Sequence, residues 1–427
     1  MDLKKQLTVR PLASGDFPQP PAFKVYRETT RGKLIVPRFF DTTIPVKPST
    51  PTEALRICFT GKLRNETSQI EAHEKGVESL TRVGGGVLSL PCGFGKTAVS
   101  LSIASHFKVR TMIIVHKEVL VKQWIERIQQ FSPGATIGRV QCDTLEIEND
   151  FVISMIQTLS QRDYQFGTFD SIGLVIVDEA HHICARAFSR CMFKLQSKYL
   201  LGLTATPERK DGLTRLLYWF LGPQFLSVER NAENVEVKFI HYNGPFPSVT
   251  LTRNGKISLP TMITDLTLVD ERNALILETI HGIDKCRNIL VLTERREHAL
   301  WICEQLGTDE SGVYIGGMSE CDLSASAEKR VIVATFALAQ EGLDIPKLDT
   351  LVLASPKSDV KQAVGRVLRG STSPVIYDVV DKWSVFIGSF RRRSSIYTEL
   401  KFITPTPPTP PSPPTPLKPP VQKTCLL

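Results

Sequence analysis

Two stretches of this chain repeat one pattern: a short, β-branched apolar run, a polar or glycine-bearing turn, then an amphipathic segment. In the first stretch the runs are Gly86–Leu90, Thr111–Val115, Phe151–Met155, Leu174–Val177 and Tyr199–Leu203. In the second they are Ile289–Leu292, Val313–Ile315, Val331–Ala334, Thr350–Leu353 and Val375–Val379. Runs that are apolar at nearly every position suit strands covered on both faces, and the intervening helical segments, such as Val119–Phe131, supply the cover. The pattern predicts an α/β protein with two parallel-sheet lobes. The order of elements repeats while the residues do not, so the lobes are expected to share an architecture.

Composition places the boundaries. Residues 1–60 are Pro- and Thr-rich and read as an extended N-terminal arm with a short strand within Lys33–Phe40. The first lobe is expected over 61–222 and the second over 264–400. Between them, 223–263 reads as a connector with a hairpin or two, because Asn243-Gly244 and Asn254-Gly255 favour turns. The tail, 401–427, is Pro-dense and is expected to be disordered; its Ser/Thr-Pro steps suit a spacer, a phosphorylated segment or a docking site for a protein partner. Net charge is +8 and the pI about 9.0, which favours an anionic partner such as nucleic acid. The nine cysteines are scattered and form no C-x-x-C pair, which argues for free thiols in a reducing, intracellular setting and against a zinc ribbon or iron–sulfur cluster. No apolar run is long enough to span a bilayer. A monomer is expected.

Three runs carry chemistry. The first is Leu90-Pro91-Cys92-Gly93-Phe94-Gly95-Lys96-Thr97, between a predicted strand and a predicted helix. Its glycines let backbone N–H groups turn toward phosphates, and the helix N-terminus adds partial positive charge. Lys96 is placed to reach the β/γ-phosphates and Thr97 to offer its hydroxyl to Mg²⁺. The second run is Asp178-Glu179-Ala180-His181, at the carboxyl end of a predicted strand, where sites on parallel sheets form. Asp178 is expected to hold Mg²⁺, and Glu179 to orient or deprotonate an attacking water. The third is Gln362-Ala363-Val364-Gly365-Arg366-Val367-Leu368-Arg369, whose arginines lie at i, i+3 on one helix face. Such arginines stabilise charge on a transferring phosphoryl group, although a solvated basic face has the same spacing.

Taken in order, these runs resemble the motifs of superfamily 2 helicases. Leu90–Thr97 resembles motif I, Asp178–His181 motif II in its DEAH form, and Gly202–Pro207 motif III. Thr335 through Gln340-Glu341-Gly342-Leu343-Asp344 resembles motif V, and Gln362–Arg369 motif VI. The L-P-C-G-x-G-K-T form, His116-Lys117 followed by Gln123-Trp124, and Arg209-Lys210-Asp211-Gly212-Leu213 resemble the XPB/UvsW-like branch, most closely as it occurs in large nucleocytoplasmic DNA viruses. The resemblance implies RecA-like lobes with ATP·Mg²⁺ between them. It implies nucleotide contacts from Gln69, Pro91, Cys92, Gly93, Phe94, Gly95, Lys96, Thr97, Gly342 and Asp344, with Gln362, Arg366 and Arg369 closing from the second lobe. Gln69 stands at the end of a run, Leu63–Gln69, that is two residues longer than the family's adenine-side run and lacks its aromatic. His181, Thr204 and Thr206 are implied to couple hydrolysis to the nucleic-acid groove, His181 by a hydrogen bond across the interlobe cleft. His116, Lys117, Gln157, Thr158, Thr293, Arg295 and Thr335 are expected at strand ends, in contact with backbone phosphates.

The expected activity is ATP-driven translocation along DNA, 3′-to-5′ by the resemblance. An RNA or RNA–DNA hybrid helicase, and a nucleic-acid scaffold without ATPase activity, are the alternatives. A viral protein of the host cytoplasm or nucleus, or of the virion, is the expected setting. Arg391-Arg392-Arg393 reads as a solvated charge run, with duplex-backbone contact as its alternative.

Overall fold

The computed structural model describes residues 2–12, 19–40, 55–91, 93–209, 211–228, 235–252, 254–255, 257–341, 345–367 and 373–404. The chain divides into two compact units, each built on its own sheet.

In the first unit seven strands are parallel: β1 Gly85–Ser89, β2 Thr111–Val115, β3 Ile137–Gln141, β4 Phe151–Met155, β5 Leu174–Val177, β6 Tyr199–Thr204 and β7 Gln224–Ser227. Their order across the sheet is β7-β1-β6-β5-β2-β4-β3, with the two-residue strand Thr144–Leu145 antiparallel on the far edge. β1, β2 and β5 are buried at every residue, as their unbroken apolar runs require. Helices Gln69–Val83, Lys96–Phe107 and Glu118–Phe131 share a core with one face of the sheet, and helix Thr214–Leu221 packs in the core on the other. The arm joins the second of these cores. Thr8–Val9 pairs with Phe23–Lys24, and Val9, Phe23 and Val25 are buried beside Ile183 and Leu213. The short strand expected within Lys33–Phe40 is Leu34–Ile35, paired with Arg27–Glu28.

The second unit holds six strands, all parallel: β8 Glu236–Tyr242, β9 Ile289–Thr293, β10 Ser311–Tyr314, β11 Val331–Thr335, β12 Thr350–Leu353 and β13 Val375–Asp381. Their order is β8-β13-β12-β9-β11-β10. The ten predicted strands all form, within two residues of their expected ends. The connector reading gives way at β8, which is an edge strand paired with β13 over its full length. Further on, Leu251 and Ile257 bridge antiparallel around the Asn254-Gly255 turn, as a hairpin there requires.

Among the described residues, two ion pairs of this second unit are buried on both sides. Arg272 Nε donates to Asp381 Oδ1 at 2.6 Å, and both side chains are fully buried. Arg393 Nε donates to Asp378 Oδ2 at 2.8 Å, and the same carboxylate accepts from Tyr397 Oη at 2.9 Å. The reading of Arg391–Arg393 as a solvated run therefore fails at its third residue. Arg391 and Arg392 are exposed, whereas helix Ser384–Glu399 turns Arg393 inward. Arg393→Leu would leave Asp378 charged and buried, and is expected to cost about 3–5 kcal/mol in denaturant unfolding. A change below about 1 kcal/mol would contradict this account of the pair.

A pH dependence follows from His298, which is buried between Thr293 and Asn273. Burial, then the charge of Arg272, push its pKa from 6.5 down to about 3. The folded chain thus keeps the ring neutral while the unfolded chain protonates it. Its stabilising contribution is complete above pH 6.5 and is lost as the pH falls toward about 3. Urea midpoints of the wild type should fall between neutrality and about pH 5. His298→Gln should flatten that dependence, and an unchanged slope would contradict the assignment.

Candidate nucleotide site of the first lobe

The phosphate-type loop and the Asp178 segment meet because β1, β6, β5 and β2 are adjacent and parallel, so their carboxyl ends lie on one edge of the sheet. β1 runs into the loop, Lys96 opens helix Lys96–Phe107, Asp178 follows β5 directly, Thr204 ends β6 and His116 follows β2.

Gly93 and Gly95 both have positive φ, at 85° and 82°. At Gly95 a Cβ would lie 2.4 Å from Gln69 Nε2, so no side chain fits there without displacing Gln69. Gln69 is 2% exposed. Its Nε2 donates to Phe94 O at 3.0 Å, and its Oε1 accepts from Arg64 N at 3.0 Å. The residue expected to contact adenine thus braces the loop from beneath. Lys96 Nζ donates to Leu90 O at 3.1 Å, across the mouth of the loop. Gly95 caps the helix through its backbone, without a side-chain hydrogen bond. Pro91 is half-buried, and Cys92 lies outside the described residues.

Asp178 accepts from Trp124 Nε1 at 2.9 Å on Oδ2 and from Glu179 N at 3.0 Å on Oδ1. Burial, then the charge of Glu179, raise its pKa, while the Trp124 hydrogen bond and the charge of Lys96 pull it back. Glu179 has φ 44°, a left-handed conformation uncommon for a residue with a Cβ. It opens the 3-10 turn Ala180–Cys184, and its Oε2 is buried without a hydrogen-bond partner. Two adjacent carboxylates, one with a buried oxygen that accepts no hydrogen bond and lies 3.5 Å from His181 Nδ1, the other destabilised by its neighbour's charge, suit a hard divalent cation. Thr97, one residue into the helix, is the hydroxyl nearest in sequence to Lys96.

The three coupling candidates are brought together. His181 Nδ1 lies 3.3 Å from Thr204 Oγ1, and Thr206 N donates to that same oxygen at 3.1 Å. His181 Nδ1 is thus engaged inside the first lobe, between the 3-10 turn Ala180–Cys184 and the end of β6. Burial, then the charge of Arg209, push the His181 pKa down to about 4. His182 is driven to about 3 by burial and then His116, whose ring centroid is 4.0 Å away. Both rings are neutral at physiological pH.

Of the expected nucleic-acid contacts, His116 and Gln157 are joined: Gln157 Nε2 donates to His116 O at 2.8 Å. His116 itself is buried. Lys117 is the N-cap residue of helix Glu118–Phe131, with burial lowering its pKa, and Thr158 is half-buried. Thr293 is corrected: it is fully buried, its hydroxyl shared between His298 Nδ1 at 2.9 Å and Ser355 Oγ at 3.0 Å. It stiffens the end of β9 and is shielded from any strand. Arg295 folds back on Thr264 Oγ1 at 2.8 Å and on Glu294 O at 3.2 Å. Thr335 ends β11, half-buried. Gly342, Asp344 and Arg369 lie outside the described residues. Gln362 and Arg366 fall in helix Lys361–Val367, and their side chains are likewise outside the described set.

Two contacts were not legible as roles in the sequence. Trp124 and Arg209 served there only as marks of family resemblance, yet Trp124 holds Asp178 and Arg209 Nη1 donates to His181 O at 2.6 Å.

The family model described as type III restriction enzyme, res subunit, matches residues 62–209, which span the loop, the Asp178 segment and Thr204. A protein of Acanthamoeba polyphaga mimivirus, provisionally named an ATP-dependent RNA helicase, is 37% identical over 338 residues, 76% of this chain. The chain spans 65% of that relative's length. A protein of invertebrate iridescent virus 6, provisionally named a helicase, is 27% identical over 88% of this chain and 89% of its own. The solved structure of yeast Dbp5 bound to RNA and ADP BeF3 has the same fold, with a TM-score of 0.54 at 15% identity over 78% of this chain and 89% of that one. The two lobes are RecA-like. Residues 62–209 thus match an ATPase helicase domain, and the chain is similar over most of its length to proteins of large DNA viruses that are named as helicases.

Proposed function

We propose that this protein is an ATP-dependent motor of the DEAH-type, XPB/UvsW-like branch, which translocates along DNA 3′-to-5′ and unwinds it. The observation that carries the reading is the single edge of the first sheet that gathers Lys96, Asp178, Glu179, His181 and Thr204. Lys96 and the backbone of Gly93–Lys96 bind the β/γ-phosphates. Thr97 and Asp178 hold Mg²⁺, which supplies charge neutralisation to the phosphates when bound. Glu179 accepts the proton of the attacking water through the oxygen that accepts no hydrogen bond. Thr204, held by His181, ties the end of β6 to the Asp178 segment, so a shift at one is felt at the other. Arg366 and Arg369 stabilise transition-state charge, a role resting on their sequence pattern. Lys117, Gln157, Thr158 and Thr335 contact the strand's phosphates, largely without reading bases.

A second reading, unwinding of RNA or RNA–DNA hybrids, is favoured by the name of the mimivirus relative. Matched duplexes of DNA, RNA and hybrid, each with a single-stranded extension at one end or the other, separate the readings. The proposal expects ATP-dependent strand separation of DNA carrying a 3′ extension. Unwinding confined to RNA or hybrid duplexes would move the assignment to the second reading, and dependence on a 5′ extension would reverse the direction.

A further inference from the structure

We infer that Arg209 is a positioning residue for ATP hydrolysis, and that the N-terminal arm holds it in place by gripping the loop that carries its carboxylate partner. The inference rests on the ATPase reading above and adds a device to it.

Arg209 spans two elements. Its Nη1 donates to His181 O at 2.6 Å, on the 3-10 turn that begins one residue after Glu179. Its Nε donates to Asp211 Oδ1 at 2.9 Å, and its Nη2 pairs with Asp211 Oδ2, so the guanidinium is clamped in a fork. Asp211 Oδ1 also accepts from Leu213 N at 3.2 Å, and Arg209 N donates to Thr214 Oγ1 at 2.8 Å. Burial alone would raise the Asp211 pKa, but Arg209 holds it below the usual carboxylate range, so the pair stays charged. Every donor in this set either closes the loop on itself or reaches His181.

The arm grips the loop from outside. Leu12 N donates to Asp211 O at 2.9 Å, and the Leu12 side chain lies against Gly212, where a Cβ would stand 3.0 Å from Leu12 Cδ1. Gly212 has φ 72°, so the loop turns there in a conformation that glycine supplies. Behind Leu12 the arm is anchored by Val9, Phe23 and Val25, in the same apolar core as Ile183 on the turn and Leu213 on the loop. A continuous set of contacts therefore runs from the arm through Asp211 and Arg209 to the peptide group of His181. Two residues before it stands Glu179, in its left-handed conformation; His181 itself bonds Thr204. Arg209 touches neither carboxylate of the Asp178-Glu179 pair. It fixes the backbone that aims Glu179 and the ring that meets Thr204. A carboxylate displaced by about 1 Å from its water loses rate by up to about 100-fold, while phosphate binding at the Lys96 loop is untouched.

The test compares wild type, Arg209→Gln, Arg209→Lys and Leu12→Pro in the full chain. Leu12→Pro removes the arm's N–H donor to Asp211 O together with the Leu12 side chain's contact at Gly212. For each variant, kcat for ATP hydrolysis is read at saturating single-stranded DNA and RNA, together with the Kd of a fluorescent non-hydrolysable ATP analogue and the thermal midpoint. The expected result is a fall in kcat of about 10-fold or more for Arg209→Gln, with Kd within about 2-fold of wild type. Arg209→Lys should recover part of that loss, because one donor still reaches His181 O, and Leu12→Pro should lower kcat by about 2- to 5-fold. An active wild type with unaltered kcat in Arg209→Gln and Leu12→Pro overturns the inference and leaves the ATPase reading standing. Losses of kcat, affinity and thermal midpoint in proportion would make Arg209 a residue of folding only, and overturn it equally. A folded wild type that hydrolyses no ATP would sink the ATPase reading, and this inference with it.

Discussion

Lys96→Ala is expected to lower ATP hydrolysis by roughly 10²–10³-fold or more, the scale set by removing one hydrogen-bond donor to a developing oxyanion. The reason lies in where the ammonium stands. Helix Lys96–Phe107 begins at this residue, and the side chain bends back over the loop to Leu90 O, one residue past the end of β1. That carbonyl is a neutral partner, which phosphate oxygens replace with a charge-assisted one. Alanine is the best helix former and occupies the first helical position without strain, so the fold should persist. Steady-state hydrolysis together with a circular-dichroism melt checks both halves. A variant that retains more than about one tenth of wild-type activity would place the phosphates elsewhere.

Glu179→Gln has a comparable expected effect with a different signature. Loss of a general base costs about 10²–10⁴-fold in rate. The substitution keeps the size of the side chain, and the left-handed backbone at φ 44° is no more strained for Gln than for Glu. It also removes the neighbouring charge that helps raise the Asp178 pKa, so nucleotide affinity should hold or improve. The variant should therefore bind a fluorescent ATP analogue as well as wild type while failing to hydrolyse ATP. Parallel loss of binding and turnover would assign Glu179 to binding and leave the proton acceptor unidentified.

The two effects together explain what sequence could and could not tell here. The central strands were legible because a strand covered on both faces must be apolar at nearly every residue, as β2 and β5 are. Strands at or next to the edges escape that logic. β3 alternates buried Gly138 and Val140 with exposed or half-exposed neighbours, and β8 mixes Glu236, Lys238 and His241 among its apolar residues. Such runs resemble connectors until a partner strand is known. Lys96, Asp178 and Glu179 were legible because their roles follow from local spacing beside strand ends. Trp124 and Arg209 were not, because each acts at a distance: Trp124 is 54 residues from Asp178, and Arg209 is 28 from His181. Thr293 and Arg393 misled for a related reason. A strand-end hydroxyl and an arginine triplet look solvent-facing in a linear sequence, and only the packing around His298 and Asp378 turns them inward.

The central claim is that this edge of the first sheet hydrolyses ATP in response to nucleic acid. Its most direct test is steady-state ATP hydrolysis by the full chain alone and with single-stranded DNA, duplex DNA or RNA, with Lys96→Ala as the blank. The account predicts hydrolysis stimulated by nucleic acid, most strongly by DNA, and absent from Lys96→Ala. Well-folded protein that hydrolyses no ATP under any of these conditions, or hydrolysis that persists in Lys96→Ala, would contradict it.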